Sequence, residues 1–320
     1  MSVRHAPYWS RDALPARAPD CLAPPADIAP DRRNLGYLLG FIGVAIFAGS
    51  LPATRLAVAA LDPWFVASAR AGMAGLCALL LLAALRRPLP PRDAWPRILI
   101  IALGVVFGFP LFSALAMQTV PAAHGGVVLG ILPLATVAAA VVMTKEKPAL
   151  GFWIAAVIGA ALVVAFAVAR GGTFALSEGD ALLILVIISG AVAYAASGSL
   201  TREMPGWEVI SWTLVASLPL SLLGCWLTFP ANAGSVPAEA WLSVIYSAVF
   251  AQWMGFFFWN AGLAMGGISR VSQVQLLQPF VTVALAALVN RESVDLQTIL
   301  FAAAVVATVA VGTRMRVVSR

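Results

Sequence analysis

The sequence predicts an all-α membrane protein of about ten transmembrane helices, arranged as two inverted five-helix repeats. Three observations predict it. The 320 residues are 61% hydrophobic and only 11% charged, too little polar surface to close a soluble globule of this length. The apolar residues fall in runs of roughly 20, the length that crosses about 30 Å of hydrocarbon as a helix. A set of short signatures also occurs twice, about 147 residues apart.

The runs centre near Gly43, Gly75, Val106, Leu132 and Gly159, and then near Ser189, Ala216, Phe250, Gln278 and Val305. A lipid-exposed backbone must satisfy its own hydrogen bonds, so runs of this length are helices. In the first half Thr54-Arg55 ends the first run, Trp64 and Cys77 bracket the second, and Pro133 precedes Glu146. In the second half Thr201-Arg202, Trp212 and Cys225, and Pro279 with Glu292 recur in the same order. Five helices per copy is an odd number, so the second copy enters the membrane from the opposite side. An internally inverted membrane chain points to a transporter whose site lies near the midplane between the halves.

These elements set the boundaries: a disordered cytoplasmic tail over 1–34, a first repeat over 35–170, a second over 178–314, and a short basic tail over 315–320. Residues Met1 to Arg33 are rich in Ala, Pro, Asp and Arg and carry no apolar run, so they are neither a secretory signal nor a folded domain. A start codon assigned too early is the alternative. Cys21, Cys77 and Cys225 suggest no disulfide framework.

Basic residues fix the expected orientation. Arg17, Arg32, Arg33, Arg86, Arg87, Arg92, Arg97, Lys145, Lys147, Arg202, Arg270, Arg314, Arg316 and Arg320 fall on one side, against Arg55, Arg170 and Arg291 on the other. That asymmetry places both termini in the cytoplasm. The pI near 9.8 is thus a topology signal, and no nucleic-acid partner is expected. High Ala and Arg over Lys suggest a bacterial inner membrane.

Gly36 and Gly40, Gly104 and Gly108, Gly126 and Gly130, and Gly262 and Gly266 form small-xxx-small steps that let backbones approach. With abundant Ala they imply tight helix packing within one chain, as a monomer or a homodimer. Pro133 and Pro279, at matching depths, each free a carbonyl and are coupling or gating candidates, with packing bends as the alternative. Pro110 and Pro219 add further kinks.

Arg70 is the one cation well inside a helix, so it must face the bundle interior and have a partner. It either binds an anionic solute or braces helix ends by donating to freed carbonyls. Ser272, Gln275 and Gln278 share a face that either lines a cavity or makes interhelical hydrogen bonds. Trp253, Phe257 and Asn260 share another, which with Tyr194 forms either an aromatic wall or ordinary packing. Ser50 is a further binding candidate. His124 starts the fourth helix near the outer surface, as a proton relay at the cavity mouth or an interfacial residue. No Asp or Glu falls within a span, none is expected to be buried, and no metal, cofactor or enzymatic constellation is visible.

The run Phe47-Ala-Gly-Ser-Leu-Pro-Ala-Thr-Arg55, then Ala67-Ser-Ala-Arg70, Ala114-Leu-Ala-Met117, Leu132-Pro133 and Lys145-Glu146 resembles the EamA family of the drug/metabolite transporter superfamily. Gly262-Leu-Ala-Met265, Leu277-Gln278-Pro279 and Arg291-Glu292 repeat the pattern, and the resemblance covers Leu35 to about Gly312. It implies a ten-helix exporter of metabolites or drugs with a central cavity. Family members commonly carry an Arg at the position of Arg70. Many relatives have Glu where this chain has Gln278, which puts carboxylate-based proton coupling there in doubt. The expected cargo is a small polar or amphipathic metabolite such as an amino acid, and the alternative is a lipophilic drug.

Overall fold

The computed structural model describes residues 30–144, 147–148, 150–171, 177–201, 203–266, 272–314 and 317–318. The first 29 residues, Lys145, Glu146, Arg202, Arg270, Arg316 and Arg320 lie outside the described residues.

Among the described residues, ten helical units cross the bundle. Helix α1 comprises Pro30–Ala48 and Ser50–Val58, and α2 is Pro63–Ala84. Helix α3 runs through Trp95–Ile101, Ala102–Gly108 and Phe109–Thr119; α4 through Ala122–Val128, Leu129–Ile131 and Leu132–Thr144; α5 is Leu150–Gly171. The second half repeats the plan with α6 (Glu178–Leu200), α7 (Gly206–Leu227), α8 (Ala238–Ile245, Tyr246–Met254, Gly255–Gly266), α9 (Ser272–Leu277, Gln278–Val289) and α10 (Leu296–Arg314). Among the described residues, six units are long and apolar enough to cross a membrane: α1, α2, α3, α6, α7 and α8. The other four carry shorter apolar runs. Leu80, Leu103, Val157, Leu220 and Leu288 are exposed, as a lipid-facing surface requires.

The packing repeats as well as the sequence does. Helix α1 lies along α8, and its counterpart α6 lies along α3; α2 pairs with α7 and α5 with α10. Helix α4 packs on α6 and α9 on α1. Departures from α geometry recur too. A π segment interrupts α3 at Ala102–Gly108 and α8 at Tyr246–Met254, and a 3-10 turn lies at Leu129–Ile131 in α4 and Ser272–Leu277 in α9. Pro133 and Pro279 are each the second residue of the α segment that restarts after the 3-10 turn. There the missing N–H falls where the hydrogen-bond ladder has already changed register.

Glycine governs the closest contacts. A Cβ on Gly262 would lie 2.6 Å from the Gly40 nitrogen and 2.8 Å from the Gly36 carbonyl oxygen, so α1 and α8 meet backbone to backbone. One on Gly104 would lie 2.5 Å from the Ser189 carbonyl oxygen, so α3 meets α6 in the same manner.

The end of the bundle away from the termini, here the far face, is ordered by caps. Asp62 accepts from the backbone N–H of Trp64 and Phe65, with Pro63 opening α2. Ser177 and Asp180 form a capping box at the start of α6. At the other end Lys147–Pro148 (β1) pairs antiparallel with Val317–Val318 (β2). Arg97 makes a two-pronged ion pair with Glu203 at 2.6 and 2.7 Å.

Candidate functional site

The interrupted helices converge on one cavity. It offers about 50 Å³ to the centre of a water-sized sphere, and both halves of the chain line it. From the first half come Phe47, Ser50, Arg70, Phe109, Gly126, Gly130 and Pro133; from the second, Tyr194, Gln252, Phe256, Gln275, Gln278, Pro279 and Thr282. A larger apolar groove of about 340 Å³ lies between α4, α5 and α6. Asp180, the one polar lining residue among those described, is already engaged by His124 and Ser177, so that groove offers little for polar recognition.

Arg70 is held from α2 with 5% of its surface exposed. Its Nε donates to Oε1 of Gln252 in the π segment of α8. Its remaining nitrogens bond no described residue, and among the described residues no carboxylate lines the cavity. The 3-10 geometry of Ser272–Leu277 nearly eclipses residues three apart, and Gln275 and Gln278 both reach the cavity wall.

The break in α1 serves the same region. Pro52 has no N–H, which frees the carbonyl of Ala48, and Thr282 Oγ1 of α9 donates to that oxygen at 3.1 Å. Gly49 leaves room for Tyr246, whose hydroxyl donates to the Ile46 carbonyl at 2.8 Å.

Toward the far face, α1, α3, α4 and the turn after α9 are fastened together. Arg55 Nη1 donates to the carbonyls of Met117 and Val120 at the end of α3, both at 2.6 Å. Its Nε lies 3.5 Å from Oε1 of Glu292. The Glu292 carboxylate accepts from the N–H groups of Ala122 and Ala123, at 2.8 and 2.9 Å, at the start of α4. A cation therefore caps the negative end of one helix and an anion the positive end of the next. Asn290 Nδ2 adds a 3.2 Å bond to the Pro52 carbonyl.

Four sequence expectations are placed elsewhere. Trp253, Phe257 and Asn260 do share a face, but it turns toward α7. Trp253 Nε1 donates to Ser211 Oγ at 3.0 Å, Phe257 packs on Trp253 and Trp207, and Asn260 abuts Gly206. The neighbouring stripe, Gln252 and Phe256, lines the cavity, and Tyr194 meets Phe256 at 6.5 Å. One position is about 100° around a helix, and an unbroken aromatic run gives no sign of which stripe faces inward. His124 is no residue of the cavity mouth: it is buried, 2.7 Å through Nε2 from Asp180 Oδ1, and stacked on Phe166 at 4.9 Å. Two carboxylates, expected to be exposed at helix ends, are buried. Asp180 is satisfied by His124 and Ser177, and Glu208 lies 3.4 Å from Arg87, which also covers Trp207.

Two related halves enclosing a shared cavity define a membrane transporter built from internal repeats. The sequence pattern of the EamA-like transporter family matches residues 34–168 and again 177–313, and the chain belongs to that family, part of the drug/metabolite transporter superfamily. It is 43% identical over 279 residues to the uncharacterized transporter YdeK of Bacillus subtilis (strain 168), covering 87% of this chain and 97% of that protein. It is 25% identical over 264 residues to the uncharacterized transporter YyaM of the same organism, covering 78% and 85%. A crystal structure of a protein 21% identical to this chain shares the fold with a TM-score of 0.61, covering 87% of this chain and 98% of that one.

Proposed function

We propose that this multi-pass protein exports small polar or amphipathic metabolites, amino acids foremost, across a bacterial inner membrane, with both termini cytoplasmic. The observation that carries the reading is Arg70, buried in a cavity that both halves line with Ser50, Tyr194, Gln252, Gln275 and Gln278. Alternating access between the halves is supported by the far-face contacts of Arg55 and Glu292. They are polar bonds that tie helix ends of the first half to the turn after α9 of the second, the contacts that opening toward the far face would have to break. The skew of basic residues toward the termini side supports the orientation.

Efflux of lipophilic compounds is the second reading, and Phe47, Phe109 and Phe256 in the lining favour it. The test is the extracellular metabolite profile of cells expressing the wild type, an equally abundant Arg70→Ala variant, or an empty vector. Accumulation of a narrow set of amino acids with the wild type alone is expected. Unchanged profiles with raised resistance to lipophilic toxins would replace the first reading with the second.

A further inference from the structure

Around Arg70 the unpaired nitrogens are all donors, whereas the acceptors of the cavity belong to other lining residues, Ser50, Tyr194, Gln275 and Gln278. An arginine side chain has no acceptor, so in its bond with Arg70 Nε the Gln252 amide must present its oxygen. That fixes the amide's orientation and leaves its NH2 unbonded to Arg70. The Gln252 side chain is 1% exposed, and its Nε2 has no hydrogen-bond partner. Ser50 Oγ, on the opposite half, is also buried and unpaired. The two terminal nitrogens of the guanidinium bond no described residue while the side chain lines the cavity. A buried cation without a carboxylate beside it is costly, and buried donors without acceptors add to that cost.

We propose that Arg70 and Gln252 together form an anion-recognition site that takes the carboxylate of the transported solute, the solute supplying the missing counter-charge. The proposal rests on the transport reading above and names its substrate class. Gln252 does two things: its oxygen locks the guanidinium plane, and its nitrogen adds a neutral donor beside the charged ones. A guanidinium edge and an amide NH2 match the oxygens of a carboxylate, and a phosphate would present the same acceptor chemistry. An amine meets a like charge and no free acceptor on either group. Ser50, from α1, makes closure around the anion depend on both halves.

The experiment measures the Tm of the purified full-length protein in detergent with four probes: L-leucine, its neutral analogue L-leucinamide, glycerol 3-phosphate and tetraphenylphosphonium. A ligand that binds only the folded state raises Tm. L-Leucine is expected to raise it and L-leucinamide not. Gln252→Glu places an internal carboxylate against Arg70. That variant should fold with an unliganded Tm at or above the wild type, and its apparent affinity for L-leucine should fall by about tenfold or more. Were Gln252 only a brace for Arg70, Glu would brace it at least as well and the response would survive, which overturns the proposal. Should Gln252→Glu fail to fold, Arg70→Gln gives the same discrimination by erasing the preference for acid over amide. A response to glycerol 3-phosphate alone supports the anion site and assigns it to phosphate. Equal responses to L-leucine and L-leucinamide overturn anion recognition and leave polar-metabolite transport standing. A response to tetraphenylphosphonium alone overturns both, and no response to any probe overturns the anion site.

Discussion

Arg55 and Glu292 meet across the two halves of the chain, Nε to Oε1 at 3.5 Å, directly over the turn that joins α3 to α4. Each residue also closes one end of that turn, Arg55 through the last carbonyls of α3 and Glu292 through the first N–H groups of α4. Breaking the pair therefore loosens four helical units at once.

The first prediction follows from that fastening. In a protein whose native cysteines are replaced by Ala, a Ser50→Cys reporter should react with a membrane-impermeant maleimide several-fold faster when Glu292 is changed to Ala. The variant loses an anion at a helix start, worth about 0.3–1 kcal/mol, and two charge-assisted hydrogen bonds of about 1.5–3 kcal/mol each at most. Unchanged labelling would show that the far-face contacts do not restrict access to the cavity.

His124 and Asp180 are expected to serve stability rather than transport. Their 2.7 Å contact joins α4 to α6 in a buried setting, away from the cavity lining. Asp180→Ala should destabilise the protein by about 1–3 kcal/mol, read as a lowered Tm, by removing the buried bond to His124 and the side-chain half of the capping box with Ser177 together. Export per folded molecule should stay near that of the wild type. A large loss of export at full stability would contradict this assignment.

The two aromatic stripes of α8 should separate in function. Phe256→Ala removes cavity wall and should lower export on the order of tenfold, measured as initial efflux rate per folded molecule. Trp253→Phe removes a hydrogen bond to Ser211 on the α7 side and should cost about 1 kcal/mol of stability with little effect on export. The reverse pattern would mean that the inward stripe is the other one.

Gly262→Ala tests the backbone contact of α1 with α8. The added methyl would stand 2.6 Å from the Gly40 nitrogen and 2.8 Å from the Gly36 carbonyl oxygen, neither of which can rotate away. A loss of about 1–3 kcal/mol is expected, visible as reduced yield and lowered Tm. Gly198→Ala, where an added Cβ meets nothing within 4 Å, is the control.

The helical architecture was legible in the sequence because its causes are local. Run length sets the spans, and the recurrence of Thr-Arg, Trp, Pro and Glu sets the repeats. Single residues pointed to the interior: Arg70 because a buried cation needs one, and Pro133 and Pro279 because a missing donor needs a broken ladder; all three line the cavity. What the sequence hid depends on rotation about a helix axis and on partners far along the chain. Gln252 stood in an apolar run, one residue before Trp253, and only a π segment and the meeting of α8 with α2 bring it to Arg70. His124 looked free because Asp180 lies 56 positions later and at a helix end. The role of Arg55 and Glu292 in fastening helix ends was equally invisible, although both belong to the clearest repeated pattern in the chain.

The paired π and 3-10 segments carry a mechanical meaning of their own. Where bonds already run to the fifth or the third residue, an acceptor is on hand at either side of each donor. A shift of register then exchanges one bond for another without exposing a bare backbone group to hydrocarbon. Because the segments come as matched couples, α3 with α8 and α4 with α9, a deformation available to one half is available to the other at similar cost. If the two halves alternate as proposed above, the molecule would work as a balance with equal arms, tipped by the load of solute on either side.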